Sequence, residues 1–125
     1  MNLLEETREE IKNSGHETED IIFIGSKQSG HSCSWSEFET LADIEYDDGV
    51  GGQEVAKDLI IAFKDGLTMW REERDGSEWW EYPEIFSMPK EKHKIISLVS
   101  VLGVVGQRYW CTLSEFNKQV SENDQ

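Results

Sequence analysis

The sequence predicts an α+β fold, and three observations carry that reading. Short β-branched apolar runs recur at 21–24, 59–63 and 95–105. Two Asp-Gly dipeptides sit at 65–66 and 75–76. Two Ser/Thr-x-x-Glu signatures, at 34–37 and 112–115, precede residues with helical apolar spacing. Apolar runs bounded by turn residues read as strands, Asp-Gly reads as a tight hairpin turn, and the hydroxyl–carboxylate spacing reads as a reciprocally capped helix start. The 125 residues fit a single domain, 1–125, with one core.

Taken in order, Leu3, Leu4, Thr7 and Ile11 form a narrow apolar stripe that predicts a helix over 3–14, with Glu5, Glu6, Glu9 and Glu10 outside it and an end near Gly15. Ile21–Gly25 is a buried strand, and the polar segment Ser26 to Gly30 is a turn. Ser34 and Glu37 start a helix over 35–42, with Phe38 and Leu41 or Ala42 facing inward and Cys33 placed to pack against Phe38. Asp43 to Gly52 combines acidic residues and glycines, which suits an exposed loop.

The segment 58–82 predicts a three-stranded antiparallel meander turning at the two Asp-Gly pairs. With two residues in each turn, Ala62 opposes Met69, Met69 opposes Tyr82 and Arg71 opposes Trp80 on one face. The other face gathers Ile61, Phe63, Trp70 and Trp79. Pro83 and Pro89 bracket a non-helical connector, one or two further strands follow over 95–105, and a last helix is expected over 113–121. The helix starts Cys33-Ser-Trp-Ser-Glu-Phe38 and Cys111-Thr-Leu-Ser-Glu-Phe116 are alike, through duplication or through shared capping chemistry.

Twelve Lys and Arg against 26 Asp and Glu leave a formal charge of −14. Such a charge repels phosphate backbones and anionic lipid, so no direct nucleic-acid or membrane binding is expected; it serves solubility, as in most acidic proteins, or steers the chain toward a basic partner. The longest apolar stretch is interrupted by Ser97, Ser100 and Gly103, and the N-terminus lacks the basic and apolar regions of a signal peptide. The expected setting is the cytoplasm, with Cys33 and Cys111 as reduced thiols.

Candidate chemistry is sparse. Asp43, Glu45, Asp47 and Glu54 have calcium-loop spacing, but Asp48 occupies the position that needs glycine. His16, His31 and His93 share no zinc spacing with the two cysteines, so no metal and no cofactor is expected. Gly49 to Gly52 lacks the lysine and the helix of a phosphate loop, and the many carboxylate pairs carry no sign of a separated acid and base. The expectation is a protein that is not an enzyme. Trp70, Trp79, Trp80 and Tyr82 are core residues or an aromatic patch rimmed by Glu72, Glu78 and Glu81. The candidate partner-binding set is Glu45, Asp47, Asp48, Trp70, Glu72, Glu73, Glu78, Trp79 and Glu81.

Within Ser34 to Tyr82, the motifs S-W-x-E-F at Ser34–Phe38, E-Y-D-D-G at Glu45–Gly49, D-L-I-I at Asp58–Ile61 and R-x-E-x-D-G-S-E-W-W-E-Y at Arg71–Tyr82 resemble those of small acidic proteins encoded in prophages and other mobile elements. The resemblance covers about two fifths of the chain, stops at Pro83 and carries no assigned chemistry. It implies a setting: small acidic phage proteins often look like inhibitors of host defence, including anti-CRISPR proteins and DNA mimics. The expected function is therefore a non-enzymatic inhibitor occupying the basic channel of a host nucleic-acid-binding defence protein. The alternatives are a protein–protein adaptor or self-associating domain using the Trp70 and Trp79 face, and a hydrolase.

Overall fold

The computed structural model describes residues 1–47, 53–85, 88–99 and 111–117. Helix α1 (Leu3–Asn13) is capped by Asn2, whose side chain accepts from the Glu5 N–H, and it buries the stripe Leu3, Leu4, Thr7 and Ile11. A single 3₁₀ turn, Thr18–Asp20, leads into β1 (Ile21–Gly25) and β2 (His31–Cys33). Helix α2 (Trp35–Leu41) begins on the reciprocal cap that its sequence predicts: Glu37 N–H donates to Ser34 Oγ at 3.1 Å and Ser34 N–H donates to Glu37 Oε1 at 3.0 Å. Next come β3 (Ile60–Phe63), β4 (Leu67–Arg74), β5 (Ser77–Ile85) and β6 (His93–Lys94). A helical turn at 113–117, α3, is capped by Thr112 and Glu115 in the same way as α2. Residues 118–121 of the helix expected there lie outside the described residues.

The strands form one sheet in the order β5-β4-β3-β1-β2-β6, antiparallel except for the β2–β6 pair. With the helices beside it, this is the α+β architecture the sequence predicts. On the inner face, Leu3, Ile11 and Phe38 from the helices meet Ile24, Ile61, Phe63, Met69 and Trp80 from the sheet and Leu98, Leu113 and Phe116 from the C-terminal part. The outer face carries a smaller cluster of Phe23, Ile60 and Ala62 with Trp70 against it. Among the described residues no helix is long and apolar enough to cross a membrane.

The meander departs from its expected register in two places. At Asp75-Gly76 both residues have positive φ, 52° and 90°, which gives the two-residue turn and the Arg71–Trp80 pairing as expected. At Asp65-Gly66 only the glycine does. The loop there takes three residues, and Ile61 rather than Ala62 opposes Met69. A one-residue slip exchanges the faces of a strand. Ile61 and Phe63 therefore join Met69 and Trp80 in the inner core, while Ala62 turns outward with Trp70. The expected Met69–Tyr82 pairing is lost to a register shift between Thr68 and Trp70. Two residues of β5, Tyr82 and Pro83, there span the place of one on β4, so the strand runs on through the proline. An edge strand and a bulge are the places where a missing N–H is tolerated.

Of the strand expected over 95–105, the described part contributes only a bridge between Val55 and Val99, just after the two-residue β6. Asn117 explains the interruption. Its buried side chain accepts from the N–H groups of Ile96 and Ser97 and donates to the Ser97 carbonyl, taking the backbone groups that a neighbouring strand would need.

Candidate functional site: an acidic and aromatic sheet face

Alternation along β4 and β5 sends Trp70, Glu72, Trp79 and Glu81 to the outer face, where register sets Trp70 opposite Glu81 and Glu72 opposite Trp79. Each tryptophan thus faces a carboxylate across the strands and precedes another along its own strand. Trp70 Nε1 donates to Glu72 Oε2 at 3.3 Å, and Trp79 Nε1 donates to Glu81 Oε1 at 3.0 Å. The indoles are half-buried and the carboxylates exposed. Like charges lie on the diagonal instead of directly opposed, which spares the pair most of its repulsion. With their N–H groups engaged, the indoles offer ring faces, and each carboxylate keeps an oxygen for a second donor. That combination suits a guanidinium or an ammonium group.

The other sequence-predicted residues lie elsewhere. Glu78, expected to be a solvent-facing carboxylate on the aromatic rim, is 3% exposed. It points inward beside Arg71, accepting from Arg71 Nη2 at 3.0 Å, from Glu54 N–H at 2.7 Å and from Val55 N–H at 3.2 Å. Glu73, on the same face, accepts from Gln53 Nε2 at 3.0 Å. Glu45 is exposed and pairs with the N-terminal ammonium at 3.2 Å. Exposed Asp47 donates its N–H to the Glu54 carboxylate at 3.0 Å, and Asp48 lies outside the described residues. The sheet therefore divides the predicted set. Trp70, Glu72, Trp79 and Glu81 share the outer face, Glu45, Asp47 and Glu73 belong to the side of α1, and Glu78 is interior.

What draws Glu78 inward is a polar network absent from the sequence reading. Arg71, 2% exposed, donates to Glu6 at 3.2 Å, to Tyr46 Oη at 3.2 Å and to Glu78, and its guanidinium lies 5.0 Å from the Trp80 ring centroid. Tyr46 Oη in turn donates to Glu6. Burial works against the Arg71 charge, but Glu6, Tyr46 and Glu78 outweigh it and hold its pKa above the ordinary value. Burial raises the Glu78 carboxyl, against the pull of Arg71 and the two backbone N–H groups, and burial likewise raises the Tyr46 phenol. This cluster ties α1, the 43–47 segment and the β4–β5 hairpin together. The available sequence signal was Arg71 on the same face as Trp80, because a charge on a core face requires partners.

Cys33 sits against the core, where burial first and Glu37 second push its thiol up to about 12. His31 and His93 stand opposite each other in the β2–β6 pair with ring centroids 5.2 Å apart. Among the described residues no three His, Cys, Asp or Glu side chains are placed to hold a metal ion. No family model, curated protein or solved structure matches the chain.

Proposed function

We propose that this chain is a non-enzymatic binding protein whose outer β4–β5 face receives a basic segment of another protein. The observation that carries the reading is the alternation of Trp70, Glu72, Trp79 and Glu81, in which carboxylates and indole faces lie side by side on the edge hairpin of the sheet. An arginine or lysine seated between the indoles would gain cation–π attraction and a carboxylate partner together. The net charge of −14 would speed its approach. In the finer form of the proposal the partner is a host nucleic-acid-binding defence protein in the cytoplasm, and the acidic chain competes for its basic channel. The charge and the resemblance of Ser34–Tyr82 to mobile-element proteins support that choice.

The test is affinity capture from host lysate with the wild-type chain, Trp79→Ala and Glu72→Lys/Glu81→Lys side by side, eluting with salt and, separately, with duplex DNA. The proposal expects a nucleic-acid-binding protein that the wild type retains, DNA displaces and both variants lose. Capture that survives high salt and both variants would sink it. Loss with Trp79→Ala alone, independent of salt, would point to the adaptor or self-associating reading.

A further inference from the structure

Beyond Trp70, at the end of the outer face away from Glu72, the turns before β2 and β3 enclose a cavity of about 320 Å³ lined by Lys27, Gln28, Lys57, Asp58, Ile60, Thr68 and Trp70. Three features set it apart. In a chain with 12 cationic residues against 26 acidic ones, two lysines from separate turns border one hollow. Neither forms an ion pair among the described residues. The carboxylate within the lining, Asp58, accepts from the Leu113 N–H at 2.6 Å and so serves the start of α3. Thr68, which by alternation shares the face of Trp70, is 2% exposed, and its hydroxyl has no hydrogen-bond partner among the described residues.

A buried hydroxyl without a partner costs stability that a valine of the same shape would not. Among the described residues nothing in the fold uses this hydroxyl, and Thr68 borders the cavity where a ligand would sit. The volume stands at the low end of small-molecule sites, which run from about 300 to 1,000 Å³, room for one ring system with a single charged group. The long-range field of the chain repels anions, and the two lysines reverse that preference locally.

We propose that this cavity binds a small planar anion, an aromatic or heteroaromatic ring carrying one carboxylate or phosphate. The ring lies along the Trp70 indole, the anionic group sits between Lys27 and Lys57, and the Thr68 hydroxyl, closed off from water, turns toward the cavity to meet a polar atom of the ring. The site is independent of the basic-partner reading, although Trp70 borders both, so an occupied cavity would fix the indole that the partner contacts.

The full chain is titrated by calorimetry and by amide NMR with adenosine monophosphate, 1-naphthoate and, as the uncharged control, adenosine. Saturable binding of either anion is expected, with shifts at Lys27, Lys57, Thr68 and Trp70, and about tenfold weaker binding of adenosine. The anion that binds tells phosphate from carboxylate. Lys27→Gln/Lys57→Gln should lose about tenfold in affinity at unchanged melting temperature. Thr68→Val should weaken binding while raising the melting temperature, a pairing that misfolding cannot imitate. No saturable shift with either anion at millimolar concentration, equal binding of adenosine, or full affinity in either variant would overturn the proposal.

Discussion

Replacing Arg71 with methionine isolates the charge at the centre of the fold, because the new side chain keeps the apolar stem beside Trp80 and deletes the guanidinium. The Arg71 side chain is fully buried, and those of its partners Glu6 and Glu78 are 11% and 0% exposed. The variant therefore leaves two carboxylates with little access to water and no counter-charge. Breaking a buried ion pair from one side costs about 3–5 kcal/mol. A chain of 125 residues has a total stability of about 6–19 kcal/mol at ~0.05–0.15 kcal/mol per residue. With a urea dependence of about 2 kcal/mol per molar, the midpoint should fall by about 2 M.

Acid should shrink this deficit. Burial already holds the folded pKa of Glu78 above its unfolded value, and loss of Arg71 raises it further. A group with a raised folded pKa contributes stability that is full below the unfolded value, about 4.3 for glutamate, and is lost as pH rises through the folded one. The gap between wild type and Arg71→Met should therefore be widest near pH 7 and narrow toward the unfolded pKa. Arg71→Met/Glu78→Gln should recover part of the loss at neutral pH, since glutamine keeps an acceptor for the Glu54 or Val55 N–H. A deficit under about 1 kcal/mol, the range of exposed pairs, or one that does not change with pH, would refute the argument.

Three further outcomes are expected. Ser34→Ala removes the acceptor of the Glu37 N–H at the start of α2 and should cost about 1 kcal/mol in denaturant melts. Cys33, with its thiol pushed up to about 12, should react with iodoacetamide at pH 8 far more slowly in the folded chain than in urea, because the thiolate is the attacking form; equal rates would show that the side chain is not held against the core. In binding kinetics, Glu72→Lys/Glu81→Lys should speed dissociation of a basic partner. Reversing Glu45 and Asp47 to Lys should chiefly slow association and leave dissociation unchanged, since charges outside a contact act on encounter; faster dissociation in that double variant would move the contact to the 43–47 segment.

How far the fold could be read depended on whether the deciding interactions were local. Ser34 with Glu37 and Thr112 with Glu115 are neighbours along the chain, so both helix starts were legible, and Asp75-Gly76 announced a turn that its own φ angles complete. Asp65-Gly66 has the same letters and a different loop, because pairing of β3 with β1 as well as β4 fixes where that strand must end. The short β2 and β6 have little apolar patterning of their own. They pair because the chain brings His31–Ser32 alongside His93–Lys94, and just beyond them Ile96 and Ser97 give their backbone groups to Asn117 some twenty residues later.

The candidate site divides along the same line. Alternation alone placed Arg71 with Trp80 and set Trp70 on the other face, so the aromatic half of the outer surface followed from the sequence. The acidic half did not, because a glutamate has the same letter whether it faces water or an arginine. Glu78 and Glu81 stand three apart on one strand and so point to opposite faces. One meets Arg71 and two backbone N–H groups, and the other meets the indole N–H of Trp79. Net charge therefore overstates the acidic surface: of the carboxylates in the W-W hairpin, Glu78 is spent inside the fold on Arg71, while Glu72 and Glu81 remain exposed.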